Sequence, residues 1–410
     1  MRSFLYLIWL SSLAVARACE VDEDCSLNGL CLPVETTGSN TTTFKACECD
    51  PGWIGDDCGV LDLAPARKNN GFNQANFTKP DDWGPYGNST WGGQILQDPK
   101  DPTVFHLFAS QFGHGCGLAG WRPHSYIMRA ESTTGPQGPY RWAEAVTNPD
   151  TGFRHNPQVV YSPADRKYLM YTIGVESFEP DECLSFSYEQ WPNNISVASA
   201  DSLRGPWSDW KMIVDSDYER EIPVRATNPS PWPLWTPDNP TAEIALCNKD
   251  YNIYIGPEWN GTYVQVHEAD WNTAEEAESP RWTEDPFIWR DKRGNWHSIN
   301  HWMIDLVEYN GQKWPRVGAH LFARNLTGPW HFPLKTAFTS NVTYTDGTWQ
   351  LFRRRERPKI YFSTDGEVTP MYLITGVQDT FDGTGTSYTH IQPIGTKWRD
   401  FEASIWPGEK

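Results

Sequence analysis

The stretch Glu284-Asp285-Pro286-Phe287-Ile288 joins a polar doublet to a proline and a β-rich run, and the β-rich run Asn295-Trp296-His297-Ser298-Ile299 follows it. Proline is tolerated at the first residue of a strand and pushes its neighbour into extended backbone. The phrase recurs with variations, and no long amphipathic helix interrupts the copies. Five copies of such a unit predict an all-β fold, a five-bladed β-propeller. The other four copies begin at Trp91-Gly92-Gly93, His155-Asn156-Pro157, Asp238-Asn239-Pro240 and Glu356-Arg357-Pro358.

The composition agrees with such a fold and excludes several functions. The chain has 410 residues, with 22 Trp, 32 Gly and 32 Pro, which is an aromatic-rich and turn-rich composition. Its formal net charge is -18, which opposes binding to nucleic acid or to anionic lipid. No stretch beyond the N-terminus approaches the length of an apolar membrane span. We therefore expect neither a nucleic-acid partner nor a membrane span.

The N-terminus has the layout of a secretory signal. Arg2 precedes an apolar run from Phe4 to Ala16, and the small-x-small sequence Ala16-Arg17-Ala18 follows. Residues 1–18 are predicted to be removed, which leaves Cys19 first and makes the protein secreted or extracellular. Acceptors for N-glycosylation fit the same compartment. They are Asn40, Asn76, Asn88, Asn194, Asn260, Asn325 and Asn341.

Six of the nine cysteines lie within residues 19–58, which predicts a disulfide framework in an oxidising compartment. The closing segment, Cys47-x-Cys49-x-x-Gly52-Trp53-x-Gly55-x-x-Cys58, resembles that of the EGF-like module. The resemblance implies the pairs Cys19–Cys31, Cys25–Cys47 and Cys49–Cys58. Outside this head, we predict a Cys116–Cys183 bridge and a buried thiol at Cys247.

The head is acidic, but its carboxylates are more simply explained by a solvated surface than by bound calcium. No cofactor is expected, and a divalent cation in the head or in the central channel is the less favoured alternative. Modules of this type usually act as spacers or contact another protein, so a protein partner is one interpretation. Residues 59–88 then form a linker, with a strand that closes the last blade, and residues 89–410 form the propeller.

The repeated segments resemble the five-bladed propeller superfamily of glycoside hydrolases, the arabinanase, levansucrase and invertase type that includes family 43. The motifs that carry the resemblance span residues 89–410. They are Trp91-Gly-Gly93, Cys116-Gly-Leu118, His155-Asn-Pro157, Glu284-Asp-Pro-Phe-Ile288 and Arg354-Arg-Glu-Arg-Pro358. The resemblance implies a carbohydrate substrate and a pocket at one end of the central channel.

The first residues of the innermost strands should meet in that pocket, because every inner strand lines the channel. Trp91 and Trp121 are predicted as platforms for sugar rings, by the resemblance and because aromatic faces suit sugars. The remaining substrate-binding candidates are polar. They are His155, Asn156, Asn239, His301, His320, Arg355 and Arg357.

Hydrolysis of a glycosidic bond needs an acid and a base or nucleophile, both usually carboxyl groups. The resemblance places these groups at the openings of the first three blades, where this chain has Gly92, Asn156 and the Asp238-Asn239 doublet. The catalytic candidates are therefore Asp238, Glu284, Asp285 and Glu356. We predict that Glu284 or Asp285 is the acid, because mutual repulsion raises one pKa of the pair, and that Glu356 is the ionised base beside Arg355 and Arg357.

Two functions remain open. The crowding of carboxylates on the later blades favours a secreted glycosidase that cleaves an extracellular or cell-wall glycan. The neutral residues Gly92 and Asn156 favour a propeller that binds a glycan without cleaving it and acts with the head in adhesion or matrix contact. A purely structural module is the weakest interpretation, since a polar channel mouth is costly to bury without a ligand.

Overall fold

A computed structural model describes residues 18–35, 43–74, 77, 84, 87, 89–176, 183, 192–216, 227–269, 271, 281–303, 308–309, 312–313, 317–379 and 386–407. The predicted signal segment before Ala18 and the acceptors Asn40, Asn76 and Asn88 lie outside these residues. Among the other acceptors, Asn325 and Asn341 are exposed, whereas Asn194 and Asn260 are half-buried. Glycosylation and secretion remain predictions.

The strands form a head followed by five antiparallel sheets, which we number as blades 1 to 5. The head contains β1 (Gly29–Glu35), β2 (Thr43–Cys49), β3 (Trp53–Ile54) and β4 (Val60–Leu61). Blade 1 contains β5 (Thr90–Gln97), β6 (Phe105–Phe112), β7 (Ser125–Ser132) and β8 (Arg141–Ala145), with the short helix α1 (Trp121–His124) before β7. Blade 2 contains β9 (His155–Ser162), β10 (Lys167–Ile173), β11 (Ile195–Ala200) and β12 (Lys211–Val214).

The second half of the chain continues the same order. Blade 3 contains β13 (Ser230–Pro233), β14 (Ile244–Cys247), β15 (Ile253–Gly256) and β16 (Val264–His267). Blade 4 contains β17 (Thr283–Arg290) and β18 (Trp296–Trp302), then the hairpin of β19 (Glu308–Tyr309) and β20 (Gln312–Lys313), then β21 (Val317–Ala323) and β22 (Thr336–Phe338). A hairpin of β23 (Asn341–Thr343) and β24 (Trp349–Leu351) leads to blade 5, which contains β25 (Arg354–Phe362), β26 (Pro370–Gln378) and β27 (Ser387–Pro393). Helix α2 (Lys397–Ile405) follows.

The first strand of each blade lies innermost and the blades close into a ring. Strands β5, β9, β13, β17 and β25 contact one another in this order, and β25 contacts β5. The second strands are packed between neighbouring blades, so β6 and β26 are buried along their whole length. The structure thus confirms the all-β class and the five-bladed propeller.

The segment after the head pairs with the last blade. Leu63 bridges Ile394 and Phe72 bridges Thr389, both antiparallel. The Phe72 amide donates to the Thr389 carbonyl at 3.0 Å, and the Ala64 amide donates to the Pro393 carbonyl at 2.9 Å. Residues 63–72 therefore cover the outer edge of β27 and tie the start of the chain to its last blade.

The disulfides have the pairing that the resemblance implies. The head has the bridges Cys19–Cys31, Cys25–Cys47 and Cys49–Cys58. Cys116–Cys183 is also bridged, and Cys247 is a buried thiol. Among the described residues, no helix combines the length and apolarity that a membrane span requires.

The head is docked on blade 4. Trp53 is only 5% exposed, and its ring lies 4.8 Å from the ring of His320 between centroids. Two cations of blade 4 contact head carboxylates: Arg324 donates to Glu23 at 2.8 Å and Arg293 donates to Asp50 at 3.0 Å. The head therefore shares a core with the propeller.

We predict that Trp53→Ala lowers the free energy of unfolding by about 3–5 kcal/mol, because it leaves a cavity between the head and blade 4. The matched control is Ile54→Ala on the same strand, where the side chain is 46% exposed; its effect should stay within about 0.5 kcal/mol. Equilibrium urea unfolding followed by fluorescence measures both values. Equal effects of the two substitutions would show that the head is not docked in this way.

Candidate active site

One residue near the start of each inner strand has left-handed backbone, with φ between 53° and 62°. The strand pairing shifts by a residue beside these positions on blades 1, 2, 4 and 5. Such a bulge re-aims a side chain. The five residues, which we call the mouth ring, are Gly92, Asn156, Asn228, Asp285 and Arg357.

The prediction for blade 3 was wrong. Asp238 and Asn239 are exposed in the turn between β13 and β14, which lies at the other end of the channel from the mouth ring. The sequence Thr227-Asn228-Pro229 opens the inner strand instead. It is also a polar doublet before a proline. Because the connection between β13 and β14 is long in this blade, the doublet Asp238-Asn239 lies closer to the second strand and was taken for the strand opening. Asp238 is therefore not a catalytic candidate and Asn239 is not a substrate-binding one.

Arg357 spans the mouth ring. Its Nη1 donates to Asn228 Oδ1 at 2.8 Å and also contacts Asp285 Oδ1. Asn156 Nδ2 donates to the same Asn228 oxygen at 3.1 Å. A Cβ at Gly92, where φ is +62°, would lie 2.8 Å from Arg357 Cβ. The missing side chain at Gly92 thus makes room for the arginine that links blades 3, 4 and 5.

Two of the predicted substrate-binding residues are packed beside the mouth ring. Trp91 is 2% exposed and packs with Phe112, so it offers no open face to a sugar. His155 is buried and its Nδ1 lies 2.8 Å from Ser125 Oγ. Burial, with the charge of Arg357, holds the pKa of His155 well below its ordinary value. Trp121 is half-buried; its ring lies 4.8 Å from that of His155, and the Arg122 guanidinium lies 4.2 Å over it.

Three carboxyl groups and one histidine meet where blades 4 and 5 adjoin. We call Glu284, Asp285, Glu356 and His301 the acidic cluster. His301 is opposite Glu284 in the β17–β18 pairing. Its Nδ1 lies 3.8 Å from Asp285 Oδ2 and 4.0 Å from Glu356 Oε2. The cluster brings together three of the four predicted catalytic residues.

Each carboxyl group of the acidic cluster contacts a cation. Lys249 Nζ contacts Glu284 and Arg357 contacts Asp285. Arg354 Nη1 lies 3.2 Å from Glu356 Oε1. These contacts compensate for much of the cost of placing three negative groups together at the buried end of a channel.

The two neighbouring carboxyl groups of blade 4 differ in acidity. Burial raises the pKa of Glu284, but Lys249 and His301 outweigh burial and lower it to about 2. Burial raises the pKa of Asp285 to about 6, helped by the charges of Glu284 and Glu356 and opposed by Arg357. Asp285 is therefore the more basic of the two carboxyl groups and the one of the pair that takes up a proton first as pH falls.

Two predicted binding residues lie elsewhere. Arg355 is fully buried; its Nη1 donates to the Thr339 carbonyl at 2.9 Å and its Nη2 to Gln392 Oε1 at 2.8 Å. Successive strand residues face opposite sides, so Arg354 rather than Arg355 shares a face with Glu356. His320 lies against Trp53 at the head. Both predictions were wrong.

The sequence analysis missed Asn228 and Lys249. Lys249 follows β14, and its backbone amide donates to the Thr227 carbonyl at 2.9 Å. It stands outside the repeated phrase, so no pattern in the sequence pointed to it. Only the closure of the ring brings this loop against Glu284.

One set of side chains in the described part of the chain could ligate a metal at this end. Ligand atoms of Glu284, Asp285 and His301 lie within 4.8 Å of one another. Lys249 already contacts Glu284 and Arg357 already contacts Asp285. A metal ion would have to displace these contacts. The donor set fits proton transfer better than metal binding.

Comparisons with known proteins find fold-level similarity only. No family model and no curated protein matches the chain. The catalytic domain of a GH62 α-L-arabinofuranosidase from Coprinopsis cinerea is 12% identical, with a TM-score of 0.48 over 75% of this chain and 90% of that chain. A xylan β-1,4-xylosidase from Bacillus halodurans C-125 is 14% identical, with a TM-score of 0.47 over 74% and 53%. An exo-β-1,3-galactanase from Phanerochaete chrysosporium is 13% identical, with a TM-score of 0.45 over 82% and 65%.

The raised pKa of Asp285 predicts how stability depends on pH. The folded protein retains a proton at Asp285 that the unfolded chain has lost, so this group costs stability as pH rises from 3.8 through about 6. Asp285→Asn avoids that cost. Relative to wild type, its free energy of unfolding should rise by about 2–3 kcal/mol between pH 4 and pH 7.

Urea unfolding at the two pH values measures this difference. The control is Asp238→Asn, which changes the same functional group in an exposed turn. Its free energy of unfolding relative to wild type should be the same at pH 4 and at pH 7. A stability difference between Asp285→Asn and wild type that does not change with pH would contradict a protonated Asp285.

Proposed function

We propose that this protein hydrolyses glycosidic bonds at the mouth of its central channel, with Asp285 as general acid and Glu356 as general base. The observation that carries this proposal is the acidic cluster itself, where burial raises the pKa of Asp285 to about 6 while Lys249 and His301 lower the pKa of Glu284 to about 2. Acid and base roles require groups whose surroundings separate their pKa values. The charges of Glu284 and Glu356 both favour the proton on Asp285.

In this mechanism Asp285 gives its proton to the glycosidic oxygen as the bond to the anomeric carbon breaks. Glu356 takes a proton from the water that adds to that carbon. His301 Nδ1 lies 3.8 Å from Asp285 Oδ2 and 4.0 Å from Glu356 Oε2. Glu284, ionised through Lys249, keeps the pKa of Asp285 high. The departing alcohol carries away the acid's proton, and Asp285 regains one from solvent.

The substrate we propose is an extracellular or cell-wall glycan. The signal layout and the N-glycosylation acceptors support a secreted protein. Trp121 is half-buried beside the mouth ring, with Arg122 over its ring, and we assign its exposed part to contact with a sugar ring. Because the head is fixed to blade 4, we propose that it contacts a protein partner and does not act as a free tether.

A second function is favoured by a specific observation. Every carboxyl group of the acidic cluster contacts a cation, and Arg357 crosses the ring between blades. The mouth-ring residues of the first three blades are Gly92, Asn156 and Asn228, none of which has a carboxylate. This arrangement suits a propeller that binds a glycan without cleaving it.

The test is sugar release from aryl and alkyl glycosides and from wall polysaccharides by the purified mature protein. Asp285→Asn should lower kcat by roughly 10²–10⁴-fold on alkyl glycosides. The loss should be smaller on dinitrophenyl glycosides, whose leaving group needs no proton. Asp238→Asn is the matched control and should keep full activity. No release from any substrate, with oligosaccharide binding abolished by Trp121→Ala, would replace hydrolysis by the second function.

The pH profile gives an independent check. Because Asp285 acts in its protonated form, kcat/KM should fall as pH rises through about 6. On dinitrophenyl glycosides, the residual activity of Asp285→Asn should lack this descending limb. A wild-type profile that stays flat from pH 5 to pH 8 would exclude Asp285 as the acid.

A further inference from the structure

The central channel has a second opening at the end opposite the mouth ring. A cavity of about 570 Å³ lies there, and its walls come from all five inner strands or the residues that follow them. These residues stand later in each strand than the mouth ring, and the inner strands run in the same direction. We call this cavity the lower pocket. Its volume is that of a site for a small organic molecule.

The walls of the lower pocket are mainly apolar. Side chains from different blades face it together, which no single blade could arrange. The apolar wall includes Leu96, Val160, Trp232, Phe287, Tyr361 and Phe362. Aromatic walls from three blades suit a flat ring system.

Three polar residues of the wall are already bound to the protein, which argues against a sugar. A sugar presents many hydroxyl groups and needs many unengaged partners. The engaged groups are Gln97, which donates to the Pro102 carbonyl at 2.8 Å, Asp98, which contacts His106 and Arg204, and Ser363, which donates to Asp365 at 2.7 Å. The wall therefore selects a largely apolar molecule.

Two glutamine side chains at the inner end of the lower pocket indicate which polar group a ligand would carry. Gln94 Oε1 accepts from the Val159 amide at 2.8 Å, so its Nε2, a donor, is the atom left for a ligand. Gln158 Oε1 accepts from Lys359 Nζ at 3.1 Å. Lys359 is 3% exposed, and burial lowers its pKa to about 7. Below that pH it brings a positive charge one hydrogen bond away from the pocket.

We propose that the lower pocket binds a flat aromatic or polycyclic molecule that carries a carboxylate or carbonyl at its inner end. The ring would lie between Trp232 and the walls of blades 1, 2 and 5, and its oxygen would accept from Gln94. The site is separate from the acidic cluster and does not depend on whether that cluster catalyses a reaction.

The test is titration of the full mature chain with 1-anilinonaphthalene-8-sulfonate, an aromatic anion that fluoresces in apolar surroundings. One saturable site per chain is expected. Val160→Trp fills the lower pocket and should weaken binding at least tenfold. The matched control, Val264→Trp, adds the same side chain at a valine that is 60% exposed on β16, and should leave the affinity unchanged.

Trp232→Leu removes a wall ring without filling the pocket and should weaken binding at least threefold, so the result does not rest on one variant. Glu284→Gln, at the other end of the channel, should bind the probe as wild type does. Competition defines the ligand class: 2-naphthoate should displace the probe, whereas 2-naphthylmethylammonium and xylose should not. The proposal is overturned if no saturable site exists, if both tryptophan variants bind equally, if Glu284→Gln loses binding or if xylose displaces the probe.

Discussion

The contact of Arg357 with Asp285 and Asn228 is the interaction on which the mouth of the channel depends. Five inner strands open at one place, and each presents one left-handed residue there, so four side chains and one glycine share a small space. Arg357 fits because blade 1 contributes Gly92, which has no side chain. It then joins three blades and supplies the charge that Asp285 needs. Without a cation at this position, three carboxyl groups would repel one another across the ring.

The same crowding separates the acidities of neighbouring residues. Glu284 and Asp285 are adjacent in sequence, yet Glu284 contacts Lys249 whereas Asp285 contacts Arg357. Lys249 reaches Glu284 from the preceding blade and lowers its pKa, whereas burial and two negative neighbours raise the pKa of Asp285. The distinction between an acid and a base therefore arises from which blade supplies the nearest lysine or arginine.

The sequence allowed the architecture to be predicted more fully than the site. Repeated Pro-containing strand openings predict a propeller because local backbone preference and repetition both act within a single blade. Asp238 was misplaced because Asn228-Pro229 and Asn239-Pro240 look alike locally, and only pairing with β14 distinguishes them. Lys249 was missed because its partner stands on another blade. Arg355 was misassigned because side chains alternate along β25, so Arg355 faces the side opposite Glu356.

The position of the head in the structure also changes the interpretation of its role. A disulfide-rich module at a chain end is usually a spacer, but here Trp53 packs on His320, whose Nε2 lies 3.0 Å from His297 Nδ1. Both histidines are buried, and burial lowers the pKa of each. Removal of the head would restore their hydration and raise both pKa values toward the ordinary value. The head thus covers the outer part of blade 4. The core of the propeller extends into residues 19–58, which the sequence analysis assigns to a separate module.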